Sequence, residues 1–384
     1  VSGQPAFKSV GDLPAAPDLV MIATPIETVA EIVRQCMEKG AGGAMVLSAG
    51  GRETGKKGAA IEEQIKSQIQ SSGFRVLGPN CLGIISTRHC MNATFANRMA
   101  QRGKMAFISQ SGAICTAILD FAEKSRIGFS YFVSLGSMLD VDFGDVIDYL
   151  GNDPQVGSIV MYVESLTRIR NFMSAARSVS RVKPIIALKA GRTRAGAAAA
   201  ASHTGALAGE DAVYDAAFKR AGIVRVKTFA ELFDCAEFIG KQPKPSGHGL
   251  AILTNAGGPG VMAADALWDY GFSPVTLEPE TIRQLNAILP PHWSHANPVD
   301  ILGDATAERY ASAADILAGA REVNGLLIML APQAIAEPTH VAELLAEQLK
   351  KQSFPVFTAW LGGSDVEDGR AVFHKAGIPS FDSP

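Results

Sequence analysis

One pattern recurs along this chain and limits what it can become: a short apolar run, a turn of small residues, then an amphipathic helix. The runs "DLVMIATP", "GAMVLSAGG" and "RVLGPN" read as buried strands ending in small or polar residues, and Glu27 to Glu38 between the first two has helical periodicity. Strands alternating with helices argue for a parallel sheet covered on both faces, so the expected class is α/β. Ligands of such sheets bind beyond the carboxyl ends of the strands. Pro25, Ser48, Gly50 and Asn80 fall there, and Cys81 follows at the same edge.

At 384 residues the chain is too long for one ordinary domain. The polar segment "NRMAQRGK" interrupts the pattern before Met105, so a new domain is expected near Ala100. "GKQPKPSGHG", Gly240 to Gly249, is rich in Pro and Gly and reads as a linker. The expected domains are therefore 1–100, 101–242 and 246–384. The segments flanking the linker resemble each other: "KMAFISQSGAICTAILDFA" matches "GLAILTNAGGPGVMAADALWD", "GSIVMYVES" matches "NGLLIMLAP", and "KPIIALKAG" matches "FPVFTAWLGG". All βα units look alike in outline, but the shared order of three elements favours duplication of one flavodoxin-like domain.

Composition narrows the function. A net charge of −3 offers no basic field for nucleic acid and no polybasic anchor for a membrane. No run approaches the roughly 20 apolar residues of a membrane span, and "VSGQPAFKSV" does not read as a signal peptide. Cys36, Cys81, Cys90, Cys115 and Cys235 are odd in number and scattered, without metal-ligand spacing, which fits a reduced cytoplasm. No metal site is expected.

Four segments could carry chemistry. In "FISQSGA" a strand ends in Ser109-Gln110-Ser111-Gly112 and a helix begins at once; free N–H groups and the helix dipole make an anion site, to which Ser109 and Ser111 add hydroxyls. A simple N-cap is the plain alternative. "TNAGGPGVMAADA" repeats the design, with Asn255, Gly257, Gly258 and Gly260 before a helix and Pro259 suited to its first turn. Two such loops in duplicated domains could face one phosphate from opposite sides. The third segment runs from Ala190 to Asp211; thirteen of the twenty residues from Ala190 to Gly209 are Ala or Gly, and it presents one imidazole, His203, in "SHTGAL". A helix start capped by Ser202 or Thr204 is the plain alternative, and a lone histidine is more often structural than catalytic. The fourth is Glu164 in "IVMYVES", an acid at a strand end, either a helix-terminal carboxylate or a partner that orients an imidazole. A buried inert thiol is the default reading of Cys81.

Taken in order, "LGPNCLGI", "FISQSGA", "GFSYFVSLG", "KPIIALKAGR", "ASHTGALAG", "TNAGGPGV" and "NPVDILGDA" resemble the α-subunit portion of the NDP-forming acyl-CoA synthetases, relatives of succinyl-CoA synthetase. The resemblance spans nearly the whole chain, and "SHTGALAG" together with "TNAGGPG" is its most specific part. It implies a Rossmann-like CoA-binding domain, N-terminally incomplete, followed by two flavodoxin-like parallel-sheet domains. It also implies conversion of acyl-CoA and phosphate to acyl phosphate and CoA, then reversible transfer of the phosphoryl group to a histidine and on to ADP or GDP. That histidine maps onto His203 and its orienting glutamate onto Glu164. The phosphate-binding helix starts map onto Ser109 to Gly112 and Asn255 to Gly260, and Cys81 maps near the CoA thiol.

The family's first strand and Gly-rich turn have no counterpart before Val1, and its ATP-grasp region, which binds ADP or ATP with Mg, is not seen in the sequence. An ATP-grasp domain or β subunit is therefore the expected partner, in an oligomer. A second reading takes the module as a CoA- or acyl-CoA-sensing regulator of a protein lysine acetyltransferase; retention of His203 argues for catalysis. A nicotinamide oxidoreductase is disfavoured, because no GxGxxG with a following ribose-binding acid is present.

Overall fold

The computed structural model describes residue 3 and residues 5–124, 127–198, 210–333 and 335–384. The chain divides into two compact units, Val1–Ala236 and Glu237–Pro384.

The first unit opens with a parallel sheet of β1 (Val20–Ile22), β2 (Gly43–Val46) and β3 (Arg75–Leu77), linked by α1 (Ile26–Lys39) and α2 (Lys56–Ile69). Helix α1 buries Ile26, Val29, Ala30, Val33 and Cys36, a stripe at helical spacing, and Gly40 ends it in the left-handed region at φ 75°. Each such Val or Ile removed from water contributes about 1.5–3 kcal/mol before ordering costs. A charge at Val33 would break this packing first.

A second sheet follows. Its strands are the hairpin β4 (Gly83–Ser86) and β5 (Met91–Thr94), then β6 (Arg102–Ser109), β7 (Phe129–Ser134), β8 (Ser158–Val163), β9 (Ile185–Lys189) and β10 (Val224–Val226), in the order β10-β9-β8-β6-β7-β4-β5. Its helices are α3 (Gly112–Lys124), α4 (Phe143–Asn152), α5 (Ile169–Val179), α6 (Asp211–Ala221) and α7 (Phe229–Lys241). The five strands β6 to β10 are parallel, whereas β4 joins β7 antiparallel, with Ile84 opposite Val133. Strands β4 and β5, which precede the polar segment near Ala100, thus belong to the second sheet. The open edge of β7 needs cover, and the hairpin supplies it.

The second unit holds β11 (Leu250–Thr254), α8 (Gly257–Asp269), α9 (Pro279–Ile288), β12 (Val299–Asp300), α10 (Ala307–Gly319), β13 (Gly325–Leu330), α11 (Pro338–Leu349), β14 (Val356–Trp360), α12 (Ser364–Ala376) and β15 (Ser380–Phe381). Its sheet is parallel throughout, in the order β12-β11-β13-β14-β15. Numbered from its own first strand, it runs 2-1-3-4-5, and β6 to β10 run the same way. That is the doubly wound flavodoxin-like order. Its core packs Trp293, Tyr310, Trp360 and Phe373, and the buried Tyr310 hydroxyl donates to the Met329 carbonyl at 2.8 Å.

The boundary between units falls inside α7, earlier than the Pro- and Gly-rich stretch suggests. In its last turns Phe238 packs edge-on against Phe357, and the Glu237 carboxylate meets His374 Nδ1 at 2.9 Å. These contacts tie the end of α7 to the second unit. Among the described residues no helix is long and apolar enough to cross a membrane, and no His, Cys, Asp and Glu cluster could hold a metal ion.

Candidate active site

In a doubly wound sheet the crevice opens where the connections from adjacent strands depart in opposite directions. In the second sheet that point lies between the carboxyl ends of β6 and β8. The Ser109 hydroxyl accepts the Ser111 N–H at 3.1 Å and donates to the Ser111 carbonyl at 2.8 Å, closing the turn after β6. Gln110 then spans the crevice. Its side-chain oxygen accepts the N–H groups of Glu164 (3.0 Å) and Ser165 (2.9 Å), and its amide nitrogen donates to the Ser165 hydroxyl at 3.0 Å. Ser111 Oγ accepts the Ile114 N–H at 3.4 Å, so Ser111 caps α3.

These bonds redistribute the roles expected from sequence. Ser109, fully buried, is committed to the turn and has no hydroxyl to offer an anion. Gln110 is a clamp between strands. Ser111 and Gly112 remain, with the helix start behind them.

The loop after β3 closes the other side. Asn80, at φ 56°, donates its N–H to the Ser48 carbonyl at 2.9 Å, and the Ser48 hydroxyl donates to the Thr24 carbonyl. The loop is joined to the second sheet by Leu82 N–H to Ser134 Oγ (2.9 Å), Ser137 N–H to the Pro79 carbonyl (2.8 Å) and Leu139 N–H to the Gly78 carbonyl (3.0 Å). Gly136 permits this approach: at φ +58° any Cβ there would lie 2.1 Å from the Pro79 carbonyl oxygen.

Between these walls is a cavity of about 430 Å³. Arg52 and Glu53, Asn80 to Leu82, Gln110 to Ala113, Gly136 to Met138 and Glu164 to Thr167 line much of it. Asn80 and Cys81 thus reach the cavity; Pro25, Ser48 and Gly50 stay at the strand ends outside its lining.

Glu164 is buried at the cavity wall. Burial, with the Glu164 carboxylate beside it, pushes the Tyr162 phenol up to about 12. Cys81 is buried and its thiol donates to the Val46 carbonyl at 3.2 Å; burial pushes the thiol up to about 12, so it stays protonated and inert. One strand over from Glu164, the buried Lys189 ammonium donates to the Ala190 carbonyl and sits 4.4 Å above the Tyr214 ring, its pKa lowered by burial. His203 lies outside the described residues.

The second unit repeats the turn. Thr254 Oγ1 accepts the Ala256 N–H (3.1 Å) and donates to the Ala256 carbonyl (3.0 Å). Asn255 spans to the strand corresponding to β8: its nitrogen donates to the Ala331 carbonyl and its oxygen accepts the Ala331 N–H, both at 2.9 Å. Gly257 and Gly258 lie exposed in the first turn of α8. Gly260 is buried for packing, since a Cβ there would lie 3.2 Å from the Pro298 Cβ.

Sequence reasoning passed over Arg52, Tyr162, Lys189 and the clamping role of Gln110 and Asn255. The last was within reach: aligning "ISQSG" with "LTNAG" puts hydroxyl over hydroxyl and amide over amide.

Three family models match the chain in succession: a CoA binding domain at residues 1–87, a succinyl-CoA ligase like flavodoxin domain at 102–239, and a Ligase-CoA domain at 250–383. The chain is 39% identical to ADP-forming acetate–CoA ligase I of Archaeoglobus fulgidus, over 100% of this chain and 55% of that protein. It is 38% identical to the α subunit of ADP-forming acetate–CoA ligase II of Pyrococcus furiosus, over 100% of this chain and 84% of the subunit. Thus it spans about half the length of some relatives and most of the length of others. Among solved structures, acetyl-coenzyme A synthetase 1 of Ca. Korarchaeum cryptofilum, described as dinucleotide forming and in complex with phosphate and ADP, superposes with a TM-score of 0.94 at 34% identity, covering 100% of this chain and 83% of that one.

Proposed function

Because the chain belongs to the NDP-forming acyl-CoA synthetases, as a module like the α subunit of succinyl-CoA synthetase, we propose that it interconverts acyl-CoA and phosphate with acyl phosphate and CoA. In this proposal the phosphoryl group then passes through His203 to a nucleoside diphosphate. Acetate is the acyl acid named for several relatives and is the first substrate to try. The nucleotide, with Mg, would sit on an ATP-grasp partner subunit or domain.

In the first step a phosphate oxygen attacks the thioester carbonyl, the C–S bond breaks, and the CoA thiolate leaves and takes up a proton. In the second, an imidazole nitrogen of His203 attacks phosphorus, the P–O bond to the acyl group breaks, and the carboxylate departs. Phosphoryl transfer of this kind depends on in-line placement and stabilised charge more than on acid–base chemistry. The start of α3, capped by Ser111 and open at Gly112, would supply N–H groups and about half a positive charge. The start of α8, at Gly257 and Gly258, is proposed for the same phosphoryl chemistry. Glu164 would accept the second imidazole N–H of His203 and hold the ring for attack.

The observation that carries this reading is the single cavity that Asn80 and Cys81 of the CoA-binding region share with Ser111, Gly112 and Glu164. A nucleophile and a thioester could meet there. The test is arsenolysis of acetyl-CoA, in which arsenate replaces phosphate and the mixed anhydride hydrolyses, leaving free thiol to be measured. Steady thiol release that needs both chain and arsenate is expected. Tight acetyl-CoA binding without release would contradict the proposal and favour a sensor.

A further inference from the structure

The geometry points to Arg52 as the residue that receives the transferred phosphate in the cavity, a role that rests on the reading of this cavity as the phosphorolysis site. The described lining carries two carboxylates, Glu53 and Glu164, and one basic side chain, Arg52. A phosphate dianion entering beside Glu164 meets like charge. The start of α3 offsets only about half a unit of it. A full positive charge is needed, and Arg52 is the one among the described lining residues that has it.

The loop that carries Arg52 is built to hold its head still. Glu62 of α2 is buried, and it accepts the backbone N–H of Arg52 at 2.9 Å and its Nε–H at 2.6 Å. The Glu53 carboxylate accepts the N–H groups of Gly50 (2.7 Å) and Gly51 (3.2 Å), and the Thr54 hydroxyl donates to the Gly51 carbonyl at 2.8 Å. Helix α2 lies so close that a Cβ on Gly58 would be 1.8 Å from the Gly51 carbonyl oxygen. The loop is therefore fixed by carboxylates and by close packing.

A purely structural arginine would be expected to commit its terminal fork to its carboxylate. Arg52 engages Glu62 through Nε and its own backbone, and Nη1 and Nη2 have no partner among the described residues. Two parallel donors on a rigid plane match a pair of phosphate oxygens, a recognition that lysine's point charge does not reproduce. Arg52 is the binding residue and Glu62 the positioning residue.

Phosphate oxygens could also come from CoA itself, and kinetics separates the two sources. Phosphorolysis of acetyl-CoA is followed by thiol release in wild type, Arg52→Gln and Arg52→Lys, varying phosphate and acetyl-CoA in turn. The expected result is a phosphate KM raised about tenfold or more in Arg52→Gln, a smaller rise in Arg52→Lys, and an acetyl-CoA KM within about twofold of wild type. Arg52→Lys leaves a cation for Glu62, so it carries the test should the Gln variant fold poorly. An unchanged phosphate KM in both variants, or a rise confined to acetyl-CoA, overturns the assignment. If the wild type shows no turnover, the broader reading fails separately, and calorimetric binding of inorganic phosphate decides the role: weaker binding in both variants supports it, equal binding overturns it.

Discussion

The turns that open the second and third sheets are built from one plan and face different surroundings. In both, a strand-final hydroxyl closes the turn on the residue two further along, Ser109 on Ser111 and Thr254 on Ala256. In both, the next side chain is an amide that bridges to the neighbouring strand's end, Gln110 to Glu164 and Ser165, Asn255 to Ala331. Beyond the amides the copies part. The start of α3 opens on the 430 Å³ cavity, and a Cβ on Gly112 would touch only Leu82. At the start of α8 a Cβ on Gly257 would lie 3.2 Å from Asp300 Oδ2. A carboxylate at a helix start leaves less potential for an incoming anion; at α3, where Glu53 and Glu164 also line the cavity, the Arg52 cation stands among them. Shared architecture at the switch point preserves the turn; the groups opposite the helix start determine how well it can hold phosphate.

The strongest way to break this comparison is to put a charge into each turn. Ser111→Asp keeps a good N-cap, so folding should survive, while arsenolysis of acetyl-CoA falls about a hundredfold or more because the carboxylate occupies the anion's place. Ala256→Asp, beside Asp300, should cost markedly less. Equal losses in the two variants would mean that the helix starts contribute alike. Next in size are the clamps. Gln110→Ala leaves the buried Glu164 and Ser165 N–H groups unmet, and Asn255→Ala leaves Ala331 without its bonds, so each should destabilise its own unit by about 1–3 kcal/mol. Urea unfolding followed by hydrogen exchange in each unit checks this; a loss confined to activity would make the amides ligands instead of clamps.

How much of this was legible in the sequence follows from the same residues. The α/β class, the duplicated sheets and the strand-end positions could be read because apolar runs and small-residue turns are local signals. That the β4–β5 hairpin joins β7 could not be read, because "GIIS" and "MNAT" say nothing about which edge they will pair with. Ser109 looked like an anion donor because a hydroxyl's partner is fixed by three-dimensional geometry. Arg52 sits in "GGRETGKKG", which reads as a solvated loop until the fold brings Glu62 beneath it.

The smallest effect concerns thiols, where burial separates one region from another. Burial pushes the Cys81 and Cys115 thiols up to about 12 from 9.0, while Cys90 is exposed. Since their folded pKa values are raised, their contribution to stability is complete below pH 9 and is lost as pH rises through 9 towards 12. The first unit's unfolding midpoint should fall across that window, and at pH 8 an alkylating reagent should modify Cys90 well before Cys81 or Cys115. Early modification of Cys81, read by peptide mass mapping, would reopen a chemical role for it.

The central claim is that this module carries phosphate on His203, and labelled acetyl phosphate tests it most directly. The chain is incubated with ³²P-acetyl phosphate beside a His203→Ala variant, and protein-bound label is followed in acid and in base. Label that is acid-labile, base-stable and confined to the wild type is the predicted result. Equal label on both proteins, or none on either while acetyl-CoA still binds, would contradict it.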